Sequence, residues 1–206
     1  MMAIKPTLFN TEMVRAILDG RKSCTRRVIK PQPDEKHTYP LGFVNDSTEK
    51  KEIGCFGFAA NEYGGSIQYV KPPYRYAPGD ILYVRESYSE LSFGYVYKAD
   101  GENIDHLGNV IKWHPSIHMP KDAARIWLKV TDVSVERLQD INISGIRNEG
   151  FSFAAVHAGD MEIAVEEWKM LWNSTIKKSD LDRYGWDANP YVFVIEFERC
   201  EKPEYA

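Results

Sequence analysis

The chain has 206 residues, of which 43% are hydrophobic and 27% are charged, and this composition fits one soluble domain with a sizeable core. Its formal net charge of −4 excludes a generally basic nucleic-acid coat, so any nucleic-acid contact requires a local patch. The odd number of widely spaced cysteines (Cys24, Cys55, Cys200) matches no zinc pattern and favours reduced thiols in the cytoplasm. No signal peptide and no apolar run of membrane-spanning length is found, which predicts no membrane partner.

The first 30 residues predict a strand, a helix and a second strand. The first strand covers 5–9, and the helix begins at Asn10 or Thr11, since both residue types cap helix N-termini. Gly20 is expected to end the helix because glycine adopts the left-handed conformation at little cost. The second strand follows in residues 21–30, which hold five of the 26 lysines and arginines.

The turn between that helix and strand has the residue types of a nucleophilic site. Lys22 is crowded by arginines, and like charges disfavour the protonated form of a lysine. A lysine that gives up its proton can act as the base for Ser23 or Thr25. The alternative interpretation is a solvated basic edge strand.

Residues 34–77 differ from their surroundings, being rich in glycine, tyrosine, asparagine and charge. Residues 54–58 and 66–70 are predicted to pair as a hairpin. We interpret 34–77 as an insertion in a single domain covering 1–206. It is either a lid over a pocket or a decorative hairpin.

Two polar stretches follow the next strand, predicted over 81–86. Glu86 is expected at the mouth of a pocket with Tyr88 beside it; the alternative is a surface ion pair between Arg85 and Glu86. The loop over 100–122 presents Trp113, and its two prolines stiffen the backbone.

This loop suits base stacking or proton transfer, because it also carries His114, Ser116 and His118. The alternative is a loop pinned by packing of Trp113 and Met119. No carboxylate or cysteine stands at ligand spacing from the two histidines, so neither a metal nor another cofactor is predicted.

The last third of the chain predicts a long strand over 123–138, a short helix and turn over 138–150 that contains Glu149, and a helix over 161–176. Trp168 and Trp172 share one face of that helix and are expected in the core. A closing strand over 191–197 completes an α+β chain, for which we predict a small closed β-barrel.

Four segments together resemble the ASCH domain family. They are Leu-Asp-Gly-Arg-Lys-Ser-Cys-Thr at 18–25, Pro-Gly-Asp-Ile-Leu-Tyr-Val at 78–84, the stretch 138–150, and Asn-Pro-Tyr-Val-Phe-Val-Ile-Glu-Phe at 189–197. The longer ASCH proteins of bacteriophages and prophages are the most similar. This resemblance implies a PUA-like fold, a small β-barrel with flanking helices, here with an inserted hairpin or loop region.

The resemblance also implies an activity. One ASCH group hydrolyses the acetyl amide of N4-acetylcytidine with a lysine, a threonine three residues later and a glutamate eleven residues after a strand-ending leucine. Lys22, Thr25 and Glu149, counted from Leu138, keep these intervals. Thr25 would attack the carbonyl, Lys22 would take its proton, and Glu149 would orient Lys22 or protonate the leaving amine.

Further site residues follow from the same comparison. Arg21, Arg26 or backbone N–H groups would stabilise the oxyanion. Similar phage proteins carry Val-Arg-Glu followed by an aromatic residue, which favours a role for Glu86 with Tyr88, and Pro-Ser-Ile-His-Met-Pro, which favours Ser116 or His118.

The second hypothesis is an RNA-binding module, since PUA-like folds bind RNA in a basic cleft. The phosphate contacts would be the basic residues of the second strand: Arg21, Lys22, Arg26, Arg27 and Lys30. Bases would stack on aromatic side chains: Tyr74, Tyr76, Tyr88 and Trp113. A related alternative is a ribonuclease of phage origin with His118 as acid or base, and a third is a phage protein without catalysis. The predicted partner is therefore RNA or a modified nucleoside.

Overall fold

The structure is a computed structural model that describes residues 3–44, 46–73, 76–101, 103–151 and 159–204. Ten strands and four α-helices are named here in chain order. The elements before the hairpin region are β1 (Ile4–Leu8), α1 (Thr11–Leu18) and β2 (Cys24–Val28). The central elements are β3 (Tyr39–Phe43), β4 (Phe56–Asn61), β5 (Gly64–Val70), β6 (Ile81–Arg85), β7 (Tyr88–Leu91) and β8 (Gly94–Tyr97). The last are β9 (Trp127–Arg137), α2 (Ile143–Asn148), α3 (Met161–Thr175), α4 (Leu181–Tyr184) and β10 (Tyr191–Cys200).

Local sequence signals account for the start of the chain. The Asn10 side chain accepts a hydrogen bond from the Met13 N–H, which caps α1 as predicted. Gly20 has φ +73°, so it occupies the left-handed region that ends the helix before the chain turns into β2. Lys22 therefore lies in the turn between α1 and β2, two residues before the strand begins.

Five strands form the main sheet in the order β1-β6-β9-β10-β2. Strands β1 and β6 are parallel, and the other neighbours are antiparallel. The α+β class is confirmed, but the prediction of a closed barrel is wrong. Within the described residues, edge strands β1 and β2 form no backbone ladder.

Side chains connect β1 and β2, the two edge strands that would pair by backbone hydrogen bonds in a closed barrel. The Arg27 Nη2 group donates to the Leu8 carbonyl at 3.0 Å, so a side chain of β2 occupies an acceptor at the end of β1. The Phe9 ring lies 5.4 Å from Lys22 Nζ and 5.7 Å from the Arg27 guanidinium carbon. The sheet therefore curls until its edges face each other, with side chains in place of the last backbone ladder.

The hairpin region packs into the main core. Strands β3, β4 and β5 form their own sheet, and Phe58 is fully buried. The Phe58 ring lies 5.0 Å from the Tyr191 ring of β10, and the Phe56 ring lies 6.4 Å from that of Phe193. This part of 34–77 therefore supplies core side chains, which neither a lid nor a decorative hairpin would do.

A second hydrophobic cluster lies beneath α3. Trp168 and Trp172 are 3% and 6% exposed and pack with Leu138, Ile146 and Trp186. Their prediction as core residues is confirmed. In the part of the chain that the structure describes, no helix combines the length and apolar character needed to cross a membrane.

Candidate active site

Residues at the start of β2 meet the C-terminal end of α2. The Ser23 N–H donates to the Asn148 carbonyl at 2.9 Å, and Lys22 and Glu149 pair as an isolated β-bridge. Gly150, at φ +86°, permits this approach, because a Cβ there would lie 2.6 Å from the Lys22 Cβ and 2.7 Å from the Ala16 Cβ. The missing side chain of Gly150 thus lets α1, β2 and α2 converge on one point.

The Lys22 ammonium is the centre of that convergence. Its side chain is 0% exposed, and Nζ donates to Glu149 Oε2 at 2.7 Å, to the Cys24 carbonyl at 2.7 Å and to the Glu149 carbonyl at 3.0 Å. Three acceptors match the three N–H groups of a protonated lysine. Carboxylate and carbonyl oxygens surround the ammonium, where the sequence predicted crowding by arginines.

Arg26 completes a chain of alternating charges. Its backbone N–H and Nη1 donate to Glu149 Oε1 at 2.7 and 3.3 Å, and its Nε donates to Glu136 Oε1 at 2.7 Å. Burial lowers the pKa of Arg26, but the Glu149 and Glu136 carboxylates outweigh that effect and leave the pKa raised. Two cations and two anions thus compensate each other in a network that is buried at Lys22, Glu149 and Arg26 and partly exposed at Glu136.

Thr25 is a nucleophile candidate next to this network. It is 3% exposed, and its hydroxyl has no hydrogen-bond partner among the described residues. Burial, followed by the charge of Glu149, raises the pKa of the neighbouring Cys24 thiol to about 12. That thiol is consequently protonated at neutral pH and is a poor nucleophile.

A small cavity opens beside Thr25. Its volume is about 60 Å³, and its wall combines polar side chains at the start of β2 with aromatic side chains of α3. The lining residues are Met13, Thr25, Arg26, Arg27, Glu149, Phe151, Trp168, Leu171, Trp172 and Thr175. An apolar cavity with a few convergent polar groups is the usual form of a small-molecule site.

One wall of this cavity carries an unsatisfied donor. The Trp168 indole is 3% exposed, and its Nε1–H has no hydrogen-bond acceptor within the described segments. The neighbouring Trp172 Nε1–H donates to the Tyr184 carbonyl at 2.9 Å. A buried N–H group without an acceptor costs free energy. Sequence periodicity identified both tryptophans as core but could not reveal that, among the described residues, Trp172 has an acceptor for its N–H and Trp168 has none.

The arginines in and just before β2 already have hydrogen-bond partners within the protein. Arg21 donates from Nη1 to the Gly150 carbonyl and from Nη2 to Asp19 Oδ2 at 2.8 Å. Arg26 forms ion pairs with Glu136 and Glu149. The guanidinium groups of both arginines predicted to stabilise the oxyanion are therefore already bonded to the protein. Arg27 lines the cavity, and only its bond to Leu8 is present among the described residues.

Glu86 has a different partner from the one weighed in the sequence. It is 1% exposed, and Arg125 donates to it twice, from Nε to Oε1 at 3.0 Å and from Nη2 to Oε2 at 3.1 Å. Burial raises the pKa of Glu86, and Arg125 opposes that rise. Arg85 instead donates to the Met119 and Ile117 carbonyls. The alternative prediction of a surface ion pair between Arg85 and Glu86 is therefore wrong. Arg125 is 39 residues from Glu86 in sequence, so local patterns could not identify it as the partner.

The predicted loop residues form a separate group. Tyr88 Oη donates to the His118 carbonyl at 3.2 Å, and Met119 is buried, so the loop is pinned by packing. Ser116 begins a one-turn 3₁₀ helix that ends at exposed His118. Trp113 is half-buried. Across the described ranges, no contact joins this loop to Lys22, Thr25 or Glu149.

Two further aromatic predictions concern stacking. Tyr76 is 2% exposed and donates to the Pro6 carbonyl, so it is not available to stack on a base. Tyr74 lies outside the described residues. Among the residues that are described, no three histidine, cysteine, aspartate or glutamate side chains come together as a metal site.

Comparison with known proteins gives two structural matches. The chain matches no protein-family model and no curated protein. It is similar to the crystal structure of an ASCH domain from Lactobacillus crispatus JV V101, with 11% identity and a TM-score of 0.37, over 96% of this chain and 79% of that one. It is also similar to the hypothetical protein PH0355, with 13% identity and a TM-score of 0.36, over 97% of this chain and all of the other. TM-scores this low support no argument about the chemistry of the site, which is therefore inferred from this chain's own residues.

Proposed function

We propose that this chain is an ASCH-type protein with a PUA-like fold that hydrolyses the amide of an N4-acetylcytidine-type nucleoside. The observation that carries the proposal is the Thr25 hydroxyl, which has no partner among the described residues and lies on a cavity wall shared with Glu149. Glu149 is in turn hydrogen-bonded to the Lys22 ammonium at 2.7 Å. The proposed nucleophile and the orienting carboxylate therefore line one cavity, and the proposed base is hydrogen-bonded to that carboxylate.

The proposed reaction begins with attack of Thr25 Oγ1 on the acetyl carbonyl carbon. All three Lys22 N–H groups are donated in the structure, so Lys22 accepts the Thr25 proton only after passing one of its own to Glu149. The C–N bond then breaks, and the proton held by the pair goes to the departing exocyclic amine. Water hydrolyses the acetyl-threonine ester and restores the hydroxyl.

The cavity suits the reacting amide more than the whole nucleoside. Its volume of about 60 Å³ is well below the ~300–1,000 Å³ of a pocket that encloses a drug-sized ligand. The acetyl amide fits inside, and the base and ribose lie at the mouth. The Trp168 N–H and Arg27 then donate to the carbonyl oxygens of the ligand, which gives the Trp168 N–H the acceptor that it lacks among the described residues.

Burial also weighs against the RNA-binding alternative. Lys22 and Arg26 are 4% and 8% exposed and are paired with carboxylates, so they are not available as phosphate contacts. Lys30 is more exposed, but it lies 4.4 Å from the centre of the Tyr184 ring. His118, the acid or base of the ribonuclease alternative, lies in the separate loop. A phage-type role beyond this chemistry remains a prediction from the resemblance.

Thr25→Val tests the nucleophile. Valine keeps the shape of threonine and removes the hydroxyl, so turnover of N4-acetylcytidine to cytidine and acetate is expected to fall by at least ~10². Chromatography of the products measures the rate. The matched control is Thr175→Val, because the Thr175 hydroxyl lines the same cavity but already donates to the Trp172 carbonyl at 2.7 Å. Equal rates for the two variants would exclude Thr25 as nucleophile.

Trp168→Phe tests recognition of the ligand's carbonyl. Loss of one neutral hydrogen bond is expected to weaken N4-acetylcytidine binding by ~10-fold. Calorimetric titration in the Thr25→Val background separates binding from turnover. Trp172→Phe makes the same volume change in the same wall, but its N–H bonds to the protein. If both variants lose affinity equally, the effect comes from packing and not from the Trp168 donor.

A further inference from the structure

A carboxylate, an imidazole and a hydroxyl are hydrogen-bonded in series in the hairpin region, where Lys22 does not lie. Ser66 Oγ is 2.8 Å from His37 Nε2, and His37 Nδ1 is 2.7 Å from Asp34 Oδ1. This is the order of contacts in a serine hydrolase: hydroxyl to Nε2, then Nδ1 to carboxylate. Sequence patterns did not reveal it, since Ser66 and His37 are 29 residues apart.

The carboxylate holds the imidazole in one tautomer. Asp34 Oδ1 accepts from the Lys36 N–H at 2.9 Å and the His37 N–H at 3.1 Å, as well as from the His37 ring. The ring hydrogen bond from His37 is the main cause of a lowered Asp34 pKa. Because Asp34 accepts at Nδ1, the ring tautomer with its proton on Nδ1 presents Nε2 as the acceptor for the Ser66 hydroxyl.

A β-bulge positions the hydroxyl. Asn61 pairs with Gly64 and Ala59 pairs with Ile67, so Gly65 and Ser66 together oppose Ala60 alone. Gly65 has φ +100°, a conformation that favours glycine. Bulges of this kind redirect a side chain and leave a residue's backbone groups outside the ladder. The bulge therefore places Ser66 where its hydroxyl reaches the His37 ring.

The same strand fixes the loop that carries the base. Ser66 and Gln68 are two residues apart on β5 and so share a face. The Gln68 Oε1 atom accepts from the Asp34 N–H at 2.8 Å. Two side chains of one strand thus hold the two ends of the Asp34–His37 segment, which limits the movement of the base relative to the nucleophile.

A surface groove lies beside this arrangement, and its lining is formed by neighbours of the three side chains and not by the three themselves. It has a volume of about 520 Å³ and runs from Thr38, next to His37, to Ala60, opposite the bulge. Tyr39 and Tyr63 also line it and are 43% and 91% exposed. Glu62 in the lining disfavours an anionic ligand. The groove therefore suits an uncharged ester with an aromatic or apolar group.

We infer that Ser66, His37 and Asp34 form a second hydrolytic site, selective for uncharged carboxylic esters. Ser66 Oγ bonds to the carbonyl carbon while its proton passes to His37 Nε2. The ester C–O bond breaks, and the alcohol leaves with that proton. Water then attacks the acyl-serine, gives its proton to His37, and releases the carboxylic acid as the serine hydroxyl is restored.

Covalent labelling of the whole chain by a neutral alkyl fluorophosphonate tests this site. Ser66 Oγ would displace fluoride from phosphorus, adding the phosphonyl group to the peptide that contains Ser66. Mass spectrometry of the digest locates and times the label. Ser66→Ala should abolish labelling, and His37→Gln should slow it by ~10² through loss of the base. Ser92→Ala, at another exposed serine, should label at the unaltered rate.

Hydrolysis of 4-nitrophenyl acetate by the same variants gives a second measurement. The rate should fall most in Ser66→Ala, less in His37→Gln and not at all in Ser92→Ala. The inference fails if Ser66 labels no faster than Ser92. It also fails if His37→Gln leaves the labelling rate unchanged, since the three side chains would then only fasten the loop to β5. Neither outcome depends on N4-acetylcytidine, so this site and the Lys22 site are tested separately.

Discussion

Glu149→Gln is expected to reduce N4-acetylcytidine turnover by ~10²–10⁴ and to lower the free energy of unfolding by about 3–5 kcal/mol. The Glu149 side chain is 2% exposed and accepts from Lys22 at 2.7 Å and from the Arg26 N–H at 2.7 Å. Glutamine removes the negative charge between two buried cations. Its amide NH₂ must also face one of these donors, which leaves a buried N–H group without an acceptor.

Urea unfolding and product chromatography measure the two effects. Glu136→Gln is the matched control, because Glu136 also pairs with Arg26 but its side chain is 28% exposed. That variant is expected to lose at most ~1 kcal/mol, as for a partly solvated ion pair. If the two variants unfold at the same urea concentration, the Lys22–Glu149–Arg26 network does not carry the stability assigned to it. A stable Glu149→Gln protein with full turnover would remove Glu149 from the proposed mechanism.

The sequence predicted the features that local chemistry determines. The cap at Asn10 and the buried face with Trp168 and Trp172 each depend on a few neighbouring residues. Lys22 and Glu149, which the resemblance placed in one site, are 2.7 Å apart from Nζ to Oε2, and their catalytic roles stay a prediction. Their complete burial was not anticipated. Lys22→Ala would therefore remove a buried partner of Glu149 together with the proposed base.

The features that the sequence missed depend on distant residues meeting. Arg125 reaches Glu86 because β6 and β9 are neighbours in the sheet. Arg27 reaches Leu8 because the sheet curls, and no periodicity in β2 encodes that curvature. Ser66 meets His37 because a bulge changes the register of β5. Strand order and register are set by the whole chain, so single-sequence patterns did not provide them.

Phe58→Ala is expected to lower the free energy of unfolding by about 3–5 kcal/mol, the usual cost of truncating a fully buried phenylalanine. Phe58 is 0% exposed, and its ring lies 5.4 Å from that of Phe56 and 5.0 Å from that of Tyr191. Because Tyr191 belongs to β10 of the main sheet, the cavity would open between the hairpin region and the core. Thermal and urea unfolding should therefore shift as one cooperative transition.

Phe93→Ala is the matched control, since Phe93 is 62% exposed in the β7–β8 turn and its truncation should change stability by no more than about 0.5 kcal/mol. The same physical argument predicts that replacing 34–77 by a short linker abolishes cooperative unfolding, because it also removes Phe56 and Val70 from the core. A trimmed protein that unfolds cooperatively would contradict this role. So would a Phe58→Ala protein as stable as Phe93→Ala, because the segment would then act as a separable lid.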